Sequence, residues 1–247
     1  VQTVQSWFQS YQTEVTGVGS GIIIGQTDDE VLIVTNNHVI DNANEITITF
    51  ADDTSVAASV KGVDSVSDLA VVAVKTKDMD KDTLDNIKVA ALGSSDNLRV
   101  GDSAIAIGNA LGYGQSVTSG CISALDRSIT VDSTTYDGLI QTDAAINPGN
   151  SGGALLDASG NLIGINSAKA SSDSVEGMGY AIPISSVKDL INELMNKEAR
   201  QVVSEEERGY LGIYGVTVTE DVSSSYGYPQ GVYVRDTVAN SGAEAAG

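Results

Sequence analysis

One serine stands between flexible glycines in the segment PGNSGG at residues 148–153. A serine hydroxyl is a weak nucleophile until a neighbouring base takes its proton. The chain has a single histidine, His38, within TNNHV at residues 35–39. If Ser151 is an activated nucleophile, His38 is therefore the base, and acyl transfer through a serine is the chemistry that the pair could perform.

A serine–histidine pair of this kind needs a carboxylate that orients the base and stabilises its charged form. Asp68 opens the run DLAVV, so it lies where a loop enters a strand that its apolar residues predict to be buried. A carboxylate held there is dry enough to pair with an imidazole. Asp64 is the nearby competitor, but loop residues surround it. The chain order histidine, aspartate, serine favours Asp68.

The glycines beside the serine suit the same chemistry. Attack on an amide carbonyl produces an oxyanion, which needs preorganised hydrogen-bond donors. The backbone N–H groups of Gly149 and Ser151, with Asn150 between them, converge only in a tight turn that glycine allows. Each motif also has an ordinary structural explanation: a glycine-rich β-turn, a strand-entry aspartate and a structural histidine.

Short runs of β-branched residues, separated by turn residues, fill the chain from residue 17 to residue 182. The short length of these runs and the turn residues between them indicate a β-sandwich or barrel rather than βαβ units. About a dozen such strands would suit two packed barrels. The elements that position the candidate residues are thus predicted to be strands.

Two helices are predicted to flank the strands. The first is an N-terminal helix over residues 4–11, with apolar residues at helical spacing: Val4, Trp7, Phe8 and Tyr11. The second follows residue 183, where Ser185 or Ser186 can cap its start. Its apolar face comprises Ile184, Val187, Leu190, Ile191, Leu194 and Met195.

Composition excludes several classes of function. Lys plus Arg number 13 and Asp plus Glu number 33, so the net charge is −20. Such a surface repels phosphate backbones, and no nucleic-acid partner is expected. Cys121 is the one cysteine, so no intrachain disulfide forms. We find no EF-hand-like loop and expect no metal and no cofactor.

Targeting signals are missing from these residues. No apolar run approaches the ~18 residues of a membrane span, and no signal peptide opens the chain. The chain begins with Val1 rather than Met, which we interpret as trimming. A membrane anchor in a trimmed N-terminal segment therefore stays an open alternative.

Three segments resemble the catalytic segments of the HtrA/DegP family of chymotrypsin-like serine proteases: TNNHV at 35–39, SDLAV at 67–71 and QTDAAINPGNSGGAL at 141–155. NLIGINSA at 161–168 and GYAIPIS at 179–185 extend the resemblance, which runs from about residue 17 to residue 184. It implies an all-β fold of two six-stranded antiparallel barrels. It also implies His38 as general base, Asp68 as its partner, Ser151 as nucleophile and an oxyanion hole over residues 149–151.

The C-terminal part resembles a second family feature. GYLGI at 209–213 is similar to the carboxylate-binding loop that opens a PDZ domain, which comprises Tyr210, Leu211, Gly212 and Ile213 here. The resemblance implies a protease domain over residues 1–197, a linker over 198–208 and an incomplete PDZ domain over 209–247.

The resemblance also implies a specificity pocket. The residue six before the nucleophile lies at the floor of this pocket in chymotrypsin-like folds, and here it is Ala145, beside Ile146. Neither side chain pairs with Lys or Arg, so small or medium aliphatic P1 residues are expected. Ile165, Asn166 and Ser167 resemble the strand that pairs with the substrate backbone.

The function that the resemblance implies is ATP-independent serine endopeptidase activity on unfolded or damaged proteins, in extracytoplasmic protein quality control and stress response in a bacterium. It also implies a homotrimer with contacts through Trp7, Phe8 and Tyr11. A protease-fold chaperone or regulatory binding protein is the alternative. An α/β-type ester hydrolase is disfavoured, because its nucleophile lies in GxSxG and its histidine comes last.

Such proteases need more than a triad. If the peptide at Asn150 is flipped, the Gly149 N–H points away from the oxyanion, and loss of one donor costs ~10²–10³ in rate. We therefore expect that the chain can also populate an inactive state.

Overall fold

The computed structural model describes residues 17–110, 114–131, 134–168, 177–199, 209, 211–219, 223–224 and 227–246, and the backbone of 2–6 and 9–13. The chain divides into two compact units, Val1–Arg200 and Gln201–Gly247. Each unit is described by itself below.

The N-terminal residues form a β-hairpin, so the predicted N-terminal helix is wrong. Strand β1 (Gln2–Ser6) pairs antiparallel with β2 (Gln9–Thr13), and Val4 stands opposite Tyr11. The helical pattern covered two turns, too few for a stable isolated helix. The Thr, Val and Tyr residues of these segments favour strands. Trp7 and Phe8 lie outside the described residues.

The first sheet of the larger unit has five antiparallel strands in the order β3-β4-β7-β6-β5. Strands β4 and β7 are buried along almost their whole length because they carry runs of valine, leucine and isoleucine. The strands are β3 (Ile22–Gln26), β4 (Glu30–Asn36), β5 (Ile46–Thr49), β6 (Ser55–Asp64) and β7 (Leu69–Lys75). Short helices follow β4 and β7: α1 (Asn37–Ile40), a 3₁₀ turn at Thr76–Asp78 and α2 (Lys81–Asn86).

The second sheet is a closed six-stranded barrel in the order β8-β9-β10-β13-β12-β11. Its strands are β8 (Ser103–Gly108), β9 (Ser116–Val131), β10 (Thr134–Thr142), β11 (Ala154–Leu156), β12 (Leu162–Asn166) and β13 (Gly179–Pro183). The expectation of two six-stranded barrels is not confirmed. In the described part of the chain, the edge strands β3 and β5 of the first sheet pair neither with each other nor with a sixth strand, so that sheet stays open.

The predicted C-terminal helix is confirmed as α3 (Ile184–Met195). Its buried residues share one hydrophobic cluster with both sheets, so the helix covers the core where they meet: Ile184, Val187, Ile191 and Leu194. Neither predicted serine caps it, because Pro183 occupies the N-cap position. Ser185 instead exchanges two hydrogen bonds with Ser95, at 2.9 and 3.1 Å between backbone nitrogen and side-chain oxygen.

The smaller unit contains an antiparallel hairpin of β14 (Ile213–Val218) and β15 (Gly231–Thr237), followed by α4 (Gly242–Ala246). Both strands are largely exposed. Across the described residues of both units, no helix has the length and apolar character needed to cross a membrane.

Candidate active site

The paired strands β4 and β7 bring His38 and Asp68 together. Asn36 at the end of β4 stands opposite Leu69 at the start of β7, so the two candidates lie at the same edge of the sheet. The Nδ1 atom of His38 lies 2.6 Å from Oδ2 of Asp68. The backbone N–H of His38 donates to Oδ1 of the same carboxylate at 2.9 Å. Asp68 is only 3% exposed, whereas the His38 side chain is 24% exposed, so the carboxylate is shielded from water while the imidazole stays accessible.

Asp68 has an unusual backbone, with φ at +53°. A left-handed conformation costs a residue other than glycine roughly 1–2 kcal/mol, although aspartate tolerates it better than most. Its carbonyl accepts two hydrogen bonds at 3.0 Å, from the backbone N–H of Asn37 and from Nδ2 of the fully buried Asn36. These bonds hold the strained residue in place. Sequence reasoning missed Asn36, and its place two residues before His38 was the available signal.

The serine turn carries two free donors. Gly149 has φ at +96°, and neither its N–H nor that of Ser151 donates to any described residue. Both residues are buried, and buried N–H groups without a partner are rare in folded proteins. The N–H of Asn150 is different, because it donates to the carbonyl of Asn147 at 2.9 Å. An oxyanion could therefore accept from residues 149 and 151, with Asn150 holding the turn between them.

The Ser151 hydroxyl lies at the end of β12. Its Oγ accepts a hydrogen bond from the N–H of Ala168 at 3.0 Å, and the residue is 5% exposed. Within the described residues it makes no hydrogen bond to His38. Its own proton is therefore free to be donated. Bonds between a nucleophile and its base are often long without substrate and tighten in the complex.

Gly152 brings the serine turn against the first sheet. Its φ is +81°, and a Cβ there would collide with Oγ1 of Thr35 and the carbonyl oxygen of Ser20. That Cβ would also lie 3.1 Å from the backbone nitrogen of Asn36, two residues before His38. Glycine is thus required by contact as well as by conformation. The close approach packs the residue after Ser151 against the end of β4, the strand that leads to His38.

The structure separates the two residues of the predicted specificity pocket. Ala145 is exposed, whereas Ile146 is 7% exposed and packs in the barrel core. The Ala145 carbonyl accepts from Oγ1 of Thr118 at 2.9 Å and from Nδ2 of Asn150 at 3.3 Å. The segment before the nucleophile is therefore tied to β9 and to the serine turn.

The predicted substrate strand is mostly part of the barrel. Ile165 and Asn166 are fully buried on β12 and pair with β11 or β13. Asn166 also accepts the N–H of Gly152 and donates to the carbonyl of Gly153. Ser167 follows the strand, and no described residue donates to its carbonyl. Of the three predicted residues, Ser167 lies outside the strand pairing, and it is 5% exposed.

The predicted PDZ loop is described in part, since Tyr210 lies outside the described residues. Leu211 is exposed and its carbonyl accepts from Ala243 at 3.1 Å. The carbonyl of Gly212 accepts from the N–H of Val238 at 2.7 Å, and Ile213 opens β14. The loop is thus bonded to the segment around α4.

Residues 19–165 match the family model of the trypsin-like peptidase domain. Serine protease Do-like HtrA of Bacillus subtilis (strain 168) is 38% identical over 250 residues, which cover 94% of this chain and 52% of that protein. Periplasmic serine endoprotease DegP of Escherichia coli (strain K12) is 40% identical over 239 residues, which cover 96% of this chain and 47% of DegP. The chain thus spans about half the length of these curated relatives.

A solved structure has the same fold over nearly the whole chain. The HtrA-type protease AlgW with decapeptide superimposes with a TM-score of 0.60 at 36% identity, covering 98% of this chain and 70% of that one. Sequence and fold comparisons therefore agree on the family of the chain. The chain belongs to the HtrA-type family of trypsin-like serine proteases.

Proposed function

We propose that this chain is a serine endopeptidase in which Ser151 attacks the peptide carbonyl, His38 accepts the serine proton and Asp68 orients His38. The observation that carries the proposal is the double contact of Asp68 with His38, at 2.6 and 2.9 Å. A carboxylate that accepts Nδ1–H leaves Nε2 unprotonated, which is the state a general base needs. Family membership supports the same chemistry.

The proposed reaction has two halves. In the first, Oγ of Ser151 forms a bond to the carbonyl carbon while its proton passes to Nε2 of His38. The oxyanion accepts from the N–H groups of Gly149 and Ser151, which have no other acceptor among the described residues. His38 then protonates the leaving amine as the C–N bond breaks, and an acyl-enzyme remains. In the second half, water replaces the amine and releases the acid.

The substrate is proposed to be an extended peptide with a small or medium aliphatic P1 residue. The carbonyl of Ser167, which accepts no hydrogen bond from the described residues, supports backbone pairing beside Ser151. Ala145 is exposed and carries no charge that could pair with Lys or Arg. Ile146 packs in the barrel core next to Ala145 in the chain. Ile165 and Asn166 are the last two residues of β12, which Ser167 follows.

The proposed role is ATP-independent degradation of unfolded or damaged proteins outside the bacterial cytoplasm. The names of relatives, among them a periplasmic endoprotease, support this location. The proposed division is a protease domain over 1–197, a linker over 198–208 and an incomplete PDZ domain over 209–247. Assembly is proposed to be a homotrimer that uses the N-terminal aromatic residues Trp7, Phe8 and Tyr11.

Cleavage of unfolded casein tests the proposed activity. We expect the wild-type chain to produce fragments and Ser151→Ala to produce none, since the nucleophile is removed while a buried alanine fits the same space. Equal fragment yields from the two proteins would reject Ser151 as the nucleophile. Binding of casein by both proteins with cleavage by neither would favour a chaperone instead.

A further inference from the structure

Ser20, two residues before β3, uses all of its polar groups in the site. Its N–H donates to the carbonyl of Ser151 at 2.8 Å, and its carbonyl accepts from Oγ1 of Thr35 at 2.7 Å. Its hydroxyl contacts two further backbone groups: Oγ lies 2.7 Å from the carbonyl of Gly149 and 2.7 Å from the nitrogen of Asn109. Four hydrogen bonds thus converge on one residue that the mechanism above does not use.

The direction of the hydroxyl proton follows from its partners. The Gly149 carbonyl can only accept, and the Asn109 N–H can only donate. The Ser20 hydroxyl must therefore give its proton to Gly149 while its oxygen accepts from Asn109. A side chain without a hydroxyl would lose both bonds and leave the buried Gly149 carbonyl without this donor.

These bonds reach the two residues whose N–H groups are free. Gly149 has φ at +96°, a conformation that glycine adopts easily and also leaves easily. Holding its carbonyl fixes the plane of the next peptide, whose N–H donates from Asn150 to Asn147 at 2.9 Å. The bond from the Ser20 N–H holds Ser151 from its other side. One residue just before β3 therefore bonds to both ends of the 149–151 turn.

We propose that Ser20 is a positioning residue for the oxyanion hole: its hydroxyl holds Gly149 so that the N–H groups of Gly149 and Ser151 point at the same oxygen. Ser20 does not touch substrate in this account. It acts through Gly149, and the inference rests on the proposed endopeptidase function. Since the Asn109 N–H donates to the same hydroxyl, Ser20 also holds the residue that directly follows β8.

If Ser20 had a purely structural role, Ser20→Ala would lower the stability of the fold without selectively weakening binding of the transition state. The matched control is Ser185→Ala, which also removes a side-chain to backbone bond, the 2.9 Å contact with Ser95 at the start of α3. Kinetics on a small-aliphatic peptide substrate and the thermal midpoint are measured for the wild type, Ser20→Ala, Ser20→Thr and Ser185→Ala.

We expect Ser20→Ala to lower kcat by about 10–100-fold with KM within about threefold, since displaced donors weaken transition-state binding selectively. Affinity for a peptide boronic acid, which mimics the oxyanion, should fall by a similar factor. Ser20→Thr, which keeps the hydroxyl, should recover most of kcat, and Ser185→Ala should keep it.

Three results would overturn the inference. They are a kcat of Ser20→Ala within twofold of the wild type, an equal loss of kcat in Ser185→Ala, or a loss in Ser20→Ala that leaves boronic acid affinity unchanged. If Ser20→Ala does not fold, Ser20→Thr is the variant that tests the inference. Its kcat should stay within about tenfold of the wild-type value, and any loss of kcat should be matched by an equal loss of boronic acid affinity. An inactive wild type would instead reject the proposed function itself, which separates the two failures.

Discussion

The carboxylate of Asp68 contacts His38 twice, with Oδ2 at 2.6 Å from Nδ1 of the ring and Oδ1 at 2.9 Å from the backbone nitrogen. The second contact fixes the carboxylate relative to the backbone that carries the ring. The contact between Oδ2 and Nδ1 determines which ring nitrogen bears the proton. Orientation and tautomer of the base thus depend on one side chain.

Asp68→Asn should keep the fold but lose the correct tautomer. Asparagine tolerates the positive φ of this position, so the thermal midpoint should change little. We expect kcat on a peptide substrate to fall by ~10⁴, because the amide can donate to Nδ1 and favour protonation at Nε2. A competing interpretation places the carboxylate at Asp64. Asp64→Asn is the control, and a larger loss of kcat there than in Asp68→Asn would contradict our assignment.

Gly152→Ala should be far more damaging than Gly160→Ala. Both glycines have φ at +81°, but a Cβ at Gly160 meets nothing within 4 Å, whereas one at Gly152 collides with Thr35 and Ser20. The conformation alone costs roughly 1–2 kcal/mol at either position. The collision should add a further ~1–3 kcal/mol at Gly152 and displace the neighbouring nucleophile.

Urea unfolding and peptide hydrolysis measure the two glycine variants side by side. Gly160→Ala should unfold at somewhat lower urea with unchanged kcat, and Gly152→Ala should lose both stability and kcat. Similar losses in the two variants would show that conformation, and not contact with the first sheet, explains Gly152.

Asp157, in the turn between β11 and β12, should make the free energy of unfolding depend on pH in the acid range. Hydrogen bonds from the side chain and backbone of Asn161, together with the Ser159 N–H, lower the pKa of Asp157 below its ordinary value of 3.8. A carboxyl whose pKa is lower in the folded state stabilises that state above 3.8. This contribution is lost as the pH falls through the folded-state pKa.

Asp157→Asn removes the ionisable group and keeps the shape of the side chain. We expect its urea midpoint to lie below that of the wild type at pH 7 and to approach it as the pH falls below 3.8 and through the folded-state pKa of Asp157, by the linkage above. The control is Asp85→Asn, at an exposed position that accepts no hydrogen bond from the described residues. A difference between wild type and Asp157→Asn that stays constant from pH 7 to pH 2 would contradict the assigned role.

Much of the candidate site could be predicted from local sequence, because its residues lie in short contiguous segments. The single histidine, the strand-entry position of Asp68 and the glycines around Ser151 were visible without coordinates. The apolar face of α3 has six residues at helical spacing, enough to predict it, whereas the four apolar residues of 4–11 covered a hairpin.

Contacts between distant parts of the chain could not be predicted in this way. Ser20 bonds to Gly149 across 129 residues, and Asn36 bonds to Asp68 across 32. Neither residue belongs to a type that signals catalysis by itself. The five-stranded first sheet likewise depends on which edges meet, which strand patterns alone do not specify.

Covalent labelling tests the central claim most directly. A fluorophosphonate probe is incubated with the wild type, Ser151→Ala and His38→Ala, and the modified peptide is located by mass spectrometry. We expect one adduct, on Ser151, that is absent from Ser151→Ala and forms slower by orders of magnitude in His38→Ala. An adduct on another serine, or labelling of Ser151 at the same rate without His38, would contradict the claim.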